Sequence, residues 1–136
     1  MPPDRDTAKH PDSSDLARLR RRADYVFVRN GRSERRRSVV VQARQRRSGT
    51  ERREDQIGIG FTATKKVGGA VVRNRAKRRL RAAAQALAPK YGIAGVDYVF
   101  IARKDTGQVA WQRLLDDMES ALISLANAFG DAKAGA

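Results

Sequence analysis

The chain has 136 residues, enough for one domain and too few for two ordinary ones. Its 29 Lys and Arg outnumber 15 Asp and Glu for a net charge of +14, and 40% hydrophobic residues exclude a mere disordered basic tail, so nucleic acid or an anionic membrane surface is the indicated partner. The lack of cysteine excludes a disulfide framework and a thiolate metal site, and no apolar run approaches the ~20 residues that span a bilayer.

Residues 1–15, MPPDRDTAKHPDSSD, are rich in Pro, Asp and Ser and lack the apolar core of a signal peptide. They read as a disordered tail, and a soluble cytoplasmic protein is the expectation. A single nucleic-acid-binding α/β domain is expected over residues 16–129, with residues 130–136 as a flexible C-terminal tail. Within Leu16–Gly31 a short helix is predicted from about Arg22 to Arg29, where Asp24 favours the positive N-terminal end and Asn30-Gly31 stops the helix. Ser38–Ala43, SVVVQA, is β-branched and short, which suits a strand. Arg44–Gln56 is charged throughout and is expected as a solvated hairpin connection. Ile57–Thr64, IGIGFTAT, alternates: Ile57, Ile59, Phe61 and Ala63 take one face, Gly58, Gly60, Thr62 and Thr64 the other. The second face is bare enough to let another backbone or a flat ligand come close.

From Lys65 to Arg81 the chain reads KKVGGAVVRNRAKRRLR, with eight basic residues, no acid and the apolar spacing of a helix. Val72, Ala76, Leu80, Ala83 and Leu87 fall within roughly 80° of arc and make a core stripe. Arg73, Lys77 and Arg81 border it on one side, Arg75 and Arg79 on the other, while Asn74 and Arg78 point away. Such a surface repels itself until a polyanion covers it. The helix is expected to end before Pro89.

Gly92–Gly95 turns the chain and Val96–Arg103 reads as another strand. Trp111, Leu115, Met118, Leu122, Leu125 and Phe129 then recur at three- and four-residue spacings, an amphipathic helix that Gly130 is expected to end. The order is short helix, two strands with a third, basic helix, strand, long helix. An α/β (α+β) two-layer sandwich, its small mixed sheet bridged by the basic crossover helix, buries all those stripes at once. Trp111, Phe27 and Phe61 are assigned to packing, and Tyr25 is balanced between packing and ligand contact.

Protein-borne catalysis has little to stand on. The only histidine, His10, lies in the tail. Asp97 begins a strand, Asp116, Asp117 and Glu119 read as solvated charge on the long helix, and Asp105 reads as a surface ion pair or turn cap. Gly68-Gly69 before a helix is too little for a phosphate loop. The chain is expected to bind rather than to cut.

The ordered set TKKVGGAVVRNRAKRRLR, with RLRRRADYVFVRNGR upstream and DYVFIARKD downstream, resembles the bacterial ribonuclease P protein subunit family from about Leu16 to Leu125. The resemblance implies that family's α/β sandwich, of the kind found in the second domain of a small-subunit ribosomal protein, with a left-handed βαβ crossover through the Arg-Asn-Arg helix. It also implies a place in a ribonucleoprotein whose RNA subunit hydrolyses precursor tRNA to give the mature 5′ end. Mg²⁺ would serve the holoenzyme and be held mainly by RNA.

Two surfaces follow from the resemblance. Lys65, Lys66, Arg73, Asn74, Arg75, Lys77, Arg78 and Arg81 would bind the catalytic RNA, since Arg forks pair bidentately with phosphate. Tyr25, Arg22, Thr62 and Thr64 would bind the single-stranded 5′ leader of precursor tRNA by stacking and positive charge. The sequence departs from the family where Arg29 replaces a second aromatic and Gly69 stands where Asn or a basic residue is common. The alternative is a ribosomal protein or RNA chaperone without a role in cleavage. A DNA-binding helix-turn-helix is disfavoured because a Gly/Thr-rich strand, not a helix and short turn, leads into the basic helix. Neither membrane nor DNA is expected as a partner.

Overall fold

A computed structural model describes residues 16–47, 52 and 54–135, with residues 131–135 described by their backbone alone. The expected tail over residues 1–15 lies outside the described residues. Strands β1 (Leu16–Arg18), β2 (Arg32–Arg35), β3 (Val39–Gln45), β4 (Ile57–Thr62) and β5 (Val96–Ala102) form one sheet in the order β1-β4-β5-β3-β2. β4 runs parallel to both β1 and β5, whereas β3 is antiparallel to β5 and to β2. The expected hairpin between β3 and β4 is therefore absent, because β5 lies between them. The hydrophobic runs of β3 and β4 gave no indication that a later strand would enter between them, since both are buried in either arrangement.

The register sorts side chains cleanly. Thr62, Ile101, Val40 and Arg35 form one row across the sheet, and Gly60, Val99, Gln42 and Ser33 form the next on the same face. The intervening row, Phe61, Phe100 and Val41, faces the other way. That second face carries the main core under helices α2 (Ala70–Tyr91) and α3 (Trp111–Gly135), with Phe61, Tyr98 and Phe100 packed against Leu80, Leu114, Met118 and Leu122. Ala76, Ala83, Ala84 and Ala88 are all 0% exposed, so α2 meets the core through small residues. Helix α1 (Arg22–Arg29) packs on the first face, where Leu19, Val28 and Val99 form a smaller core with Tyr25, Phe27 and Ile101 packed against it. The mixed α/β sandwich thus gains a partial extra layer.

Several helix boundaries and stripes differ from the pattern reading. α2 continues through Pro89 to Tyr91 and closes with Gly92 N–H donating to Ala88 O at 2.7 Å. Pro89 removes only one bond near the end, and the burial of Ala88 and Tyr91 against the core holds the last turn. α3 likewise runs past Gly130 to Gly135. Val72 is 42% and Trp111 41% exposed, so neither belongs to the buried stripe of its helix.

Asp117, expected as solvated charge, and Asp97, read only as the start of a strand, are both engaged. Asp117 accepts from Ser38 N–H at 3.1 Å and Ser38 Oγ–H at 2.8 Å, fastening α3 to the start of β3. Partial desolvation alone would raise the Asp117 pKa, but the Ser38 bonds and Arg113 outweigh it and hold the carboxyl below its usual range. Asp97 is buried, with side-chain exposure of 1%. Its Oδ1 receives Arg46 Nη1 at 2.7 Å and its Oδ2 receives Arg52 Nη2 at 2.5 Å, while Arg52 also lies 3.6 Å from Asp24 on α1. The β3–β4 connection is therefore drawn inward at these arginines rather than solvated throughout. Asp105 does pair at the surface, with Arg37 at 3.1 Å.

Tyr98 is fully buried and its hydroxyl accepts Ile93 N–H at 2.9 Å. Burial pushes its pKa from 10.0 up to about 12, outweighing the Ile93 bond. The folded form resists deprotonation more than the unfolded one. This contribution is intact below pH 10 and is lost as pH rises towards 12. A loss of about 2–3 kcal/mol across that window, absent in Tyr98→Phe, is the expected result of denaturant titrations at stepped pH. An unchanged alkaline profile in Tyr98→Phe would contradict it.

Candidate nucleic-acid interface

The basic surface begins at a short 3-10 turn, Lys65–Val67, and passes into α2. Gly68 joins them at φ +151°, a conformation that disfavours side chains, and an added Cβ would lie 2.9 Å from Val72. No acid stands in the first turn of α2. Lys65, Lys66, Asn74, Arg75 and Arg78 are exposed, and Arg73, Lys77 and Arg81 are half-buried. Arg81 lies over the Phe61 ring at 5.6 Å, and the Nε atoms of Arg73 and Arg81 are buried without a hydrogen-bond partner among the described residues. Their stems cover the rim of the core while their charged ends remain at the helix border.

The opposite border is tied down. Arg75 Nε donates to Gly107 O at 3.0 Å, and Arg79 donates to Thr106 O at 2.8 Å and Val109 O at 2.7 Å. Both belong to the connection between β5 and α3. Arg75 therefore meets any ligand with one N–H already engaged. Arg79, read from the sequence only as a border residue, is held most firmly.

On the other sheet face, Arg22, Tyr25, Thr62 and Thr64 line one cleft with Arg29, Gln42 and Ile101. The bare glycine face is largely filled by the protein itself. An alanine Cβ at position 60 would lie 2.7 to 2.9 Å from the Tyr25 hydroxyl and ring, and one at position 58 would run into the Asp97 carboxylate. Each glycine admits a group that the chain supplies, correcting the expectation that both leave room for a ligand. β1 ends at Arg18 opposite Ile59, so the β4 edge is unpaired beyond it and Tyr25 Oη accepts the Phe61 N–H at 3.3 Å. Tyr25 is thus braced against β4 while the ring borders the cleft.

Thr64 and Ile101 also line a neighbouring cleft with Arg35, Arg37, Lys66, Arg103 and Lys104. The shared walls join the two into a track from α1 to the start of the basic surface. Periodicity could not reveal Arg29, Gln42, Arg35, Arg103 or Lys104 as its lining. Strand register reveals Arg35 and Gln42, because Arg35 shares a row with Val40, Ile101 and Thr62 and Gln42 shares the next with Val99 and Gly60. Among the described residues, no three Asp, Glu, His or Cys side chains converge, so the donor set does not fit a protein-held Mg²⁺ cage. Among those residues, no helix is long and apolar enough to cross a membrane.

A small mixed sheet with a cationic helix on one face and an aromatic, arginine-bordered cleft on the other defines an RNA-binding α/β protein. The family model for Ribonuclease P matches residues 14–126. The ribonuclease P protein component of Caulobacter vibrioides is 48% identical over 119 residues, covering 88% of this chain and 77% of that protein. The Ruegeria pomeroyi component is 46% identical over 114 residues, covering 83% and 89%. The solved structure of the ribonuclease P protein from Thermotoga maritima aligns with a TM-score of 0.62 at 26% identity, covering 79% of this chain and 96% of that one. The chain belongs to the ribonuclease P protein family.

Proposed function

We propose that this chain, as a protein component of ribonuclease P, binds the catalytic RNA through α2 with Lys65 and Lys66 and grips the 5′ leader of precursor tRNA in the cleft beside α1. The RNA subunit carries out the hydrolysis that leaves the mature 5′ end, with Mg²⁺ held mainly by RNA. The observation that carries the leader assignment is the convergence of Arg22, Tyr25, Thr62 and Thr64 on one cleft. A braced aromatic edge, an arginine and two hydroxyl-bearing side chains suit an unpaired strand of no fixed sequence. The relatives named above are ribonuclease P components, which leaves a ribosomal protein or general RNA chaperone without support.

The test is precursor-tRNA cleavage at low Mg²⁺ by the cognate RNA subunit, with and without this protein. Stimulation that vanishes when the leader is trimmed to a nucleotide or two is expected. Stimulation indifferent to leader length would remove the cleft from the reading, and no stimulation would overturn the role in cleavage. On the other surface, Arg73→Ala is expected to weaken binding to the RNA subunit and to lower the slope of log affinity against log salt by about one unit. Leader discrimination should survive that change. Filter binding across a salt series measures both, and an unaltered slope would show that Arg73 touches no phosphate.

A further inference from the structure

Trp111 is the chain's single tryptophan, and it opens α3. The stripe behind it, Leu114, Met118, Leu122 and Leu125, is fully buried, yet Trp111 is 41% exposed. Burial in the protein core therefore does not account for its indole. Beside it the Arg79 guanidinium lies 5.7 Å from the ring centroid, fixed by the Thr106 and Val109 carbonyls. Arg75 is fixed one turn earlier by Gly107 O.

The charges here are left uncompensated. Arg79 and Arg75 bond to backbone carbonyls, and among the described residues neither forms an ion pair. The acids on neighbouring elements are directed elsewhere: Asp105 to Arg37, Asp116 to Gln112, and Asp117 to Ser38 and Arg113. Partial desolvation, and after it the nearby charge of Arg75, lowers the Arg79 pKa. The carbonyl bonds fix the two guanidiniums in place but supply no opposite charge, and like charges held near each other disfavour one another.

An exposed indole beside immobilised guanidiniums matches the two parts of an unstacked nucleotide: its flat base and its phosphate. An acidic peptide would satisfy the cations but leave the indole face bare. The patch is also continuous with α2 through Arg75 and Arg79. We propose that Trp111, with Arg79 and Arg75 beside it, is a stacking site for an unpaired base of the RNA subunit, extending the RNA-binding surface of α2 onto the first turn of α3. This inference rests on the ribonuclease P reading above.

The experiment titrates the full-length protein with a transcript of its own RNA subunit while following Trp111 emission, a signal from one site. Emission should be quenched, and acrylamide should lose access to the indole, along the same curve as binding. Trp111→Ala should bind about tenfold more weakly, and Trp111→Phe should recover most of that loss by retaining a ring. Circular dichroism and the unfolding midpoint establish that each variant is folded, and the wild-type emission decides the matter if Trp111→Ala is not. Tight binding by filter retention, with emission and acrylamide access unchanged, would overturn the stacking site and leave the function intact. Binding no tighter than to an unrelated RNA of equal length would overturn the ribonuclease P reading, and the stacking site with it.

Discussion

Asp97→Ala is expected to lower the free energy of unfolding by about 3–5 kcal/mol, a large share of the stability of a domain this size. The carboxylate is 1% exposed and bonds both Arg46, itself 4% exposed, and Arg52, 13% exposed. Removing it takes away the carboxylate that two largely buried guanidiniums share, leaving Arg52 with Asp24 and Arg46 with the Gln56 carbonyl, and the cost of that under-compensated burial exceeds the value of the lost bonds. Urea melts at neutral pH measure the effect, and a loss under 1 kcal/mol would show that the arginines relax into solvent at small cost. Gly58 supplies an internal check, since a Cβ there would collide with the same carboxylate. Gly58→Ala should therefore cost less in the Asp97→Ala background than alone. Additive losses would mean that Gly58 is needed for another reason.

Tyr25→Ala is expected to remove about 1–3 kcal/mol of preference for leader-bearing precursor over mature tRNA while leaving affinity for the RNA subunit unchanged. The ring is positioned by Gly60 behind it and by the bond from Phe61 N–H to its hydroxyl at 3.3 Å. Tyr25→Phe should keep most of the preference, since the ring remains and only the brace is lost, about 1 kcal/mol of stability. Gly60→Ala should behave more like Tyr25→Ala, because the added methyl displaces the ring. Parallel binding titrations with precursor and mature tRNA, on holoenzyme checked for folding, separate the cases. Equal losses on both RNAs would assign Tyr25 to packing alone.

Much of this architecture is visible in local pattern. The alternation of IGIGF places Ile57, Ile59 and Phe61 in the main core and Gly58 and Gly60 on the face below α1, as the strand register shows. The short helix over Arg22–Arg29 follows from Asp24 and Asn30, and Ala76, Leu80, Ala83 and Leu87 do line the buried side of α2. What pattern missed was non-local. Asp97 looks like any acid at a strand start, and only the return of Arg46 and Arg52 from a distant connection gives it partners. Trp111 fits the three-and-four spacing of its helix, but its ring meets Arg79 while Leu114 in the same turn enters the core. β1, at three residues, is too short and β2, RSER, too polar to announce itself, because edge strands need only one neighbour. In the cleft, Arg22 and Tyr25 share a helix and Thr62 and Thr64 share an adjoining segment. Their meeting depends on how α1 lies across the sheet, which no spacing encodes.

The position of β5 between β4 and β3 also sets an order for events at the ribosome. Before Val96–Ala102 is made, the described strands can pair only as two detached pieces, β1 with β4 and β2 with β3. Two-stranded pieces are marginal in water. The sheet can close only once 102 of the 136 residues have been synthesised, and α3, which seals the main core, comes later still. Until then the nascent chain carries its strongest positive charge on a segment with no finished core behind it, so synthesis of β5 and α3 must precede assembly of a native basic surface.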